Sequence, residues 1–321
     1  MRALGTYTYG PVPSRRLGRS LGVDLVPFKT CTYDCVYCQL GRTTNLTLER
    51  AEYVPAGEVV DEVRAVLDSG AHPDVITLAG SGEPTLHARI GEIIDGIKGI
   101  TDVPVAVLTN GSLLWMPQVA QELARADLVV PSLDAGDERT FQLVNRPHPE
   151  LGFEQMVDGL ASFAAGYRGR LWLEVLLVAG TTGTPAHVAR IARLVERVKP
   201  DLVHLNTASR PPAESGVLPV PAEELESLRS LFPCPVEVVA ESLEPGVVGE
   251  DDARAADERV LALLRRRPCT TADIATGLGA HAADVVKVVE SLRARGAVTT
   301  ITRDGRTYFA PAHSDRDVSS Q

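Results

Sequence analysis

The stretch "DVITLAGSGEPTLHARIGEIIDGIK", residues 74–98, decides the fold. Its first seven residues are an apolar run of strand length. "GSGEPTL" (80–86) breaks that run with glycine and proline. Residues 88–98 then place apolar side chains at helical spacing. Such a strand–turn–helix unit cannot bury its own faces and needs copies of itself on either side.

The copies are there. Strands are predicted at "LGVDLV" (21–26), "PVAVLTN" (104–110), "DLVVPSLD" (127–134), "LWLEVLLVAG" (171–180), "DLVHLNT" (201–207) and "PVEVVA" (235–240). Helices are predicted between them, near 57–69, 116–125, 153–165, 184–198 and 221–231. Alternating strands and helices predict an α/β fold on a parallel sheet. Six or seven units suit a barrel, or a partial (β/α)6-type barrel, better than a hairpin-rich fold. Ligands on such sheets gather at the carboxyl ends of the strands. The unusual polar residues fall there too: "GSGEPTL", "TNGS" (109–112), "SLDAGD" (132–137) and "NTASRPPAE" (206–214). Helix faces such as "VARIARLVERV" read as core-facing stripes with solvated backs.

The bulk numbers bound the rest. The chain has 321 residues, 44% of them hydrophobic and 23% charged, the balance of a soluble globular protein with one large domain and a small one. No run of eighteen apolar residues occurs and the first residues carry no apolar signal core, so the expected location is the cytoplasm, away from membranes. A net charge of −10 excludes a chain that coats nucleic acid along its whole surface. The charge is uneven. Residues 253–313 hold ten Lys and Arg against six Asp and Glu, a net of +4. The tail 314–321 carries −1, which leaves −13 for residues 1–252. The acidic stretch around "EPGVVGEDD" reads as a linker, so the expected division is 1–245, a linker 246–256, a small domain 257–313 and a disordered tail 314–321.

"CTYDCVYCQLG" (31–41) follows the first predicted strand and holds three of the five cysteines. Cysteines of an unexported chain stay reduced, which favours metal or redox chemistry over disulfides. Cys31, Cys35 and Cys38 can converge on one soft metal centre. A structural zinc would want a fourth ligand, usually from a second close pair, and Cys234 and Cys269 stand apart. A [4Fe–4S] cluster held by three cysteines leaves one iron open to a chelating substrate.

The loop resembles the cluster loop of the radical S-adenosylmethionine (radical SAM) superfamily, C-x3-C-x-aromatic-C, with Tyr37 as the aromatic residue. The likeness covers roughly residues 7–245. Within the superfamily the chain looks most like stand-alone iron–sulfur oxidoreductases distantly similar to the wyosine-forming tRNA enzymes. The resemblance implies a [4Fe–4S] cluster on Cys31, Cys35 and Cys38 that reductively cleaves S-adenosylmethionine (SAM). It also implies a 5′-deoxyadenosyl radical that takes hydrogen from a substrate, and a flavodoxin- or ferredoxin-like electron donor. "GSGEP" resembles the superfamily's Gly-Gly-Glu motif with Ser81 for one glycine. There Gly80 and Gly82 would let backbone approach the ligand, and Glu83 would accept from the SAM ammonium. Asn110, Ser132, Asp134 and Asn206 are the further expected cofactor contacts. Arg146 is a candidate anion grip, and Arg15, Arg16 and Arg19 are candidates for the mouth. Glu174 shares a strand face with Trp172 and needs a partner; His204 is expected to be structural.

Residues 257–310 read as three helices and a hairpin about Asp304-Gly305, which resembles a winged helix-turn-helix domain. Such a domain would dock RNA or DNA, or close the barrel. The start of its third helix, "HAADVVKVV", has few basic residues where base contacts would form. A contrasting reading is a regulator in which a redox-sensing cluster signals through this domain. It needs only the cysteine loop and leaves the Glu83, Asn110 and Asp134 motifs unexplained.

Overall fold

The structure is a computed structural model that describes residues 6–14, 16–208, 212–214, 216–239, 253–278, 282–303 and 306–312. The chain divides into two compact units, within 5–241 and 242–321.

The larger unit starts with β1 (Thr8–Ser14), β2 (Gly18–Val23), the two-residue strands β3 (Thr30–Cys31) and β4 (Asn45–Leu46), and α1 (Ala56–Asp68). It continues with β5 (Val75–Leu78), α2 (Ile90–Lys98), β6 (Val105–Thr109), α3 (Pro117–Leu123), β7 (Leu128–Pro131), α4 (Glu138–Val144) and α5 (Phe153–Gly166). It ends with β8 (Arg170–Leu177), α6 (Pro185–Val198), β9 (Leu202–Thr207), α7 (Ala222–Leu228) and β10 (Val236–Val238). One sheet runs β1-β2-β5-β6-β7-β8-β9-β10. Every pairing from β2 to β10 is parallel; β1 alone runs antiparallel.

The two faces differ, as β8 shows. Leu171, Leu173, Val175 and Leu177 are buried, while Trp172, Glu174 and Leu176 alternate with them half-buried. The first set belongs to the main core with helix residues such as Val59, Ile93, Val157 and Ile191. On the other face Val75, Ala106, Leu128 and Val130 form a second cluster with Leu17, Leu108 and Trp172. Arg16, just before β2, also pairs with Glu174 on β8. Four strand steps separate β2 from β8, roughly 19 Å in a flat sheet, which is beyond the reach of an arginine. The sheet therefore curves about this inner face, as a partial barrel does.

All seven expected strands are present. Besides the two-residue β3 and β4, two elements escaped the sequence. β1, "TYGPVPS", holds two prolines and sits at an edge, the position where a strand tolerates a missing donor. α4 has seven residues, too few for a clear period; its start is set by Asp137, whose Oδ1 accepts from Thr140 N at 2.8 Å.

In the smaller unit, α8 (Ala253–Arg266), α9 (Thr271–Leu278) and α10 (Ala282–Ala294) precede the antiparallel pair β11 (Val298–Arg303) and β12 (Arg306–Pro311). The helices pack on one another around Leu264, Ile274, Val289 and Leu292. Cys269 and Phe309 exchange both backbone hydrogen bonds, at 3.0 and 2.7 Å, which ties the hairpin to the start of α9. The expected turn at Asp304-Gly305, the linker core and the tail lie outside the described residues. Among the described residues, no helix is long and apolar enough to cross a membrane.

Candidate active site at the carboxyl ends of the strands

The cysteine loop is pinned from below and from one side. Glu83 N donates to Thr30 O at 3.1 Å and Lys29 N to Ser81 O at 2.7 Å, so the loop after β5 and the strand entering the cysteines share a backbone ladder. Gly80 and Gly82 make this approach feasible. A Cβ on Gly82 would sit 1.8 Å from Thr30 O, and one on Gly80 would sit 2.5 Å from the Asp24 carboxyl carbon. These glycines were expected to admit a ligand. The space a Cβ would take on each is filled by the chain itself, with Asp24 also accepting from Ser81 N and Oγ.

Glu83 is 2% exposed. Its Oε1 accepts from Thr85 N (3.0 Å), Thr85 Oγ1 (2.6 Å) and Thr109 Oγ1 (2.6 Å), and its Oε2 from Asn110 N (2.7 Å). Burial raises its pKa, and these donors pull the other way. One carboxylate thus joins the ends of β5 and β6 to the loop. Asn110 continues the network: its Nδ2 donates to Thr32 Oγ1 at 2.7 Å and lies 3.6 Å from Cys31 Sγ, while its Oδ1 accepts from Ser112 N at 3.0 Å.

A second network surrounds Cys35. Asn145 is 3% exposed, and its Nδ2 reaches Cys35 Sγ (3.7 Å), Tyr37 Oη (2.9 Å) and Asp134 Oδ2 (3.0 Å). Tyr37 donates to the same Asp134 oxygen, and Leu176 N donates to Oδ1 at 2.9 Å. Burial pushes the Asp134 pKa up to about 6 against these donors. Asp134 was expected to meet the cofactor; here its oxygens are engaged by protein donors, and it braces Tyr37. The third sulfur, Cys38 Sγ, receives Lys29 Nζ at 3.2 Å.

Each sulfur therefore has its own N–H donor, from Asn110, Asn145 and Lys29. Among the described residues, no three His, Cys, Asp or Glu side chains are gathered so as to hold a single metal ion. A lone zinc would draw its thiolates to about 3.8 Å of one another, given Zn–S bonds of ~2.3 Å. A four-iron cluster gives each thiolate a separate iron and uses hydrogen bonds to its sulfurs, so this set suits a cluster. Burial, and next the Glu83 charge, push the Cys31 thiol up to about 12. Burial and the two neighbouring sulfurs raise Cys35 as well, so a metal centre bound here must displace protons.

Deeper in the inner face, Glu174 finds the partners it needed: Arg16, and Asn206 Nδ2 at 3.1 Å. Burial alone would raise its pKa; the guanidinium and the amide outweigh it and hold it below the usual carboxylate range. Ser132 bridges to Glu174 through backbone and is half-buried. His204 is fully buried, edge-on to Trp172 at 5.1 Å. Its Nε2 lies 3.6 Å from Glu237, too far for a hydrogen bond, and burial lowers its pKa. Arg19 pairs with Asp74 on the surface. Arg146 and Arg42 both pair with Glu214, at 2.7 and 2.8 Å, and Glu214 N donates to Val36 O at 3.0 Å, so this segment straps the cysteine loop. Arg15 lies outside the described residues.

Lys29, Asn145 and Asp24 were missed in the sequence. Asn145 lies 110 positions from Cys35, and only its place before Arg146 marked it.

The radical SAM superfamily model matches residues 25–204. A UPF0026 protein of Methanocaldococcus jannaschii is 34% identical over 229 residues, 71% of each chain. A protein of Brachyspira hyodysenteriae named GTPase Obg is 38% identical over 304 residues, 94% of this chain. This chain spans 45% of that relative's length and has no G-x4-G-K-[ST] phosphate loop of its own. The SAM-bound crystal structure of Streptococcus suis SuiB shares the fold with a TM-score of 0.50 at 13% identity, over 75% of this chain and 54% of that one. With the model matched over more than half of its length and a close-length relative beside it, the chain belongs to the radical SAM superfamily.

Proposed function

We propose that this chain is an enzyme that binds a [4Fe–4S] cluster through Cys31, Cys35 and Cys38 and cleaves SAM reductively to act on a substrate not yet identified. When bound, the cluster and SAM, which this superfamily uses, would supply the electron and the radical chemistry that abstracts hydrogen. What carries the reading is the trio of sulfurs, each with its own N–H donor, beside the buried Glu83–Asn110 network at the strand ends.

The residues divide the work. Among the described residues Glu83 Oε2 has one donor, Asn110 N, which leaves it a lone pair that would accept from an ammonium group. Ser132, half-buried at the strand end where its backbone bridges to Glu174, would meet a sugar hydroxyl of SAM. Asn206 has its Nδ2 on Glu174 and its Oδ1 on Thr207 N, which fixes the Arg16–Glu174 pair in the inner face. Tyr37, Asp134 and Asn145 hold the loop around Cys35 in one shape. A low-potential flavodoxin- or ferredoxin-like donor would supply the electron. The test is conversion of SAM to methionine and 5′-deoxyadenosine by the reduced, reconstituted chain.

The three helices and hairpin of the smaller unit support reading it as a winged helix, with RNA, docked protein or closure of the barrel as its candidate roles. The net charge of +4 over residues 253–313 and the exposed Arg265 and Arg306 favour phosphate contact. Bulk tRNA is expected to bind at low salt and to be released steeply as salt rises, because neutralised phosphates release counterions. A chain that ignores tRNA at low salt would leave a protein-docking or lid role for this unit.

A further inference from the structure

Lys29 is 3% exposed, in a segment where nothing else explains a lysine. Its backbone is held in the left-handed region at φ +60, a conformation few non-glycine residues adopt. Three hydrogen bonds fix it there: its N donates to Ser81 O at 2.7 Å, and its O accepts from Thr44 N at 3.2 Å and Asn45 N at 3.1 Å. The side chain is thereby aimed at the cysteine loop, with Nζ 3.2 Å from Cys38 Sγ.

A buried ammonium needs an anion within reach. Among the described residues Lys29 has no carboxylate within salt-bridge distance, and the one hydrogen-bond partner of its Nζ is the sulfur. Asp34 feels its charge but is engaged by Arg42 and by Thr43 N at 2.7 Å. A protonated thiol would not balance the charge, whereas a thiolate on a metal cluster would.

We propose that Lys29 is the fixed counter-cation of the cluster at Cys31, Cys35 and Cys38, placed to favour its one-electron reduced state. The inference rests on the cluster reading above. Reduction adds one electron from an external low-potential donor and no proton. A positive charge beside one thiolate stabilises the state with the extra electron, and so raises the midpoint potential. The Asn110 and Asn145 amides bring dipoles to the other two sulfurs, and among the described residues Lys29 is the donor that brings a full charge to one. It acts as a positioning residue: it touches a ligand of the cluster and no reacting atom.

The test is a redox titration of the full-length chain, reconstituted anaerobically, without SAM, followed by the electron paramagnetic resonance of the reduced cluster. Wild type, Lys29→Met and Lys29→Arg are compared, with iron and sulfide counted in each. Lys29→Met is expected to bind iron and to shift to lower potential. At the wild-type midpoint, its ratio of reduced to oxidised cluster should fall at least about tenfold, a 59 mV shift for one electron. Lys29→Arg should stay near wild type. Iron lost from Lys29→Met but kept by Lys29→Arg would also support the charge requirement. Equal potentials in wild type and Lys29→Met overturn the proposal, even if SAM binds more weakly to the variant. So does an equal shift, or an equal loss of iron, in both variants, since shape and not charge would then matter. A wild-type chain with no four-iron signal overturns the cluster reading, and the role of Lys29 falls with it.

Discussion

Alanine at Cys31, Cys35 or Cys38 is expected to abolish iron binding and SAM cleavage together. Wild-type chain reconstituted without oxygen should hold about four irons with matching sulfide. Each cysteine would carry a different iron, so no remaining side chain can take over. Among the described residues, no His, Asp or Glu is gathered with the three sulfurs into a metal-holding group. Cys234→Ala and Cys269→Ala should bind iron as wild type does. Cys269 lies in the other unit, where its sulfur meets Arg267 O at 3.4 Å, and Cys234 follows the short turn after α7. Iron and sulfide assays on the five variants decide this. Full iron in any one of the three loop variants would show that the ligand set is wrong.

Glu83→Ala should unfold the larger unit more easily than any surface substitution. The carboxylate is buried, and it is the acceptor for Thr85 N, Thr85 Oγ1, Thr109 Oγ1 and Asn110 N. Alanine leaves donors on three residues without an acceptor, at about 1–3 kcal/mol each. A loss of about 3 kcal/mol or more is expected in urea denaturation. Tryptophan fluorescence reports this unit alone, since both tryptophans, Trp115 and Trp172, lie in it. A loss under about 1 kcal/mol would mean that water replaces the carboxylate without strain. Glu83→Gln should fall between, because its amide keeps one acceptor oxygen and presents donors to donors.

These two expectations mark what the sequence made legible. The β-branched runs named seven strands because a parallel strand is buried on both faces and must be apolar throughout. The rule that ligands meet strand ends then singled out the cysteine loop, Glu83, Asn110, Asp134 and Asn206, and the fold does bring these to one end or to the inner face. The partners were not legible. Asn145 and Lys29 reach the sulfurs through turns whose geometry no periodicity encodes, and a lysine before a cysteine loop reads as solvated until its burial is seen. The glycines of "GSGEP" were legible as a close approach, but not the chain that makes one: a small residue does not say which neighbour comes near. Gly82 admits the carbonyl of Thr30.

The central claim is that this site breaks SAM at a cluster held by three cysteines. Its most direct test is product analysis. Full-length chain carrying four irons is reduced with dithionite or titanium(III) and incubated with SAM without oxygen. The account predicts methionine and 5′-deoxyadenosine in equal amounts, formed slowly without substrate and absent from the Cys35→Ala variant. Intact SAM after reduction of a fully loaded cluster, or equal product from Cys35→Ala, would contradict it.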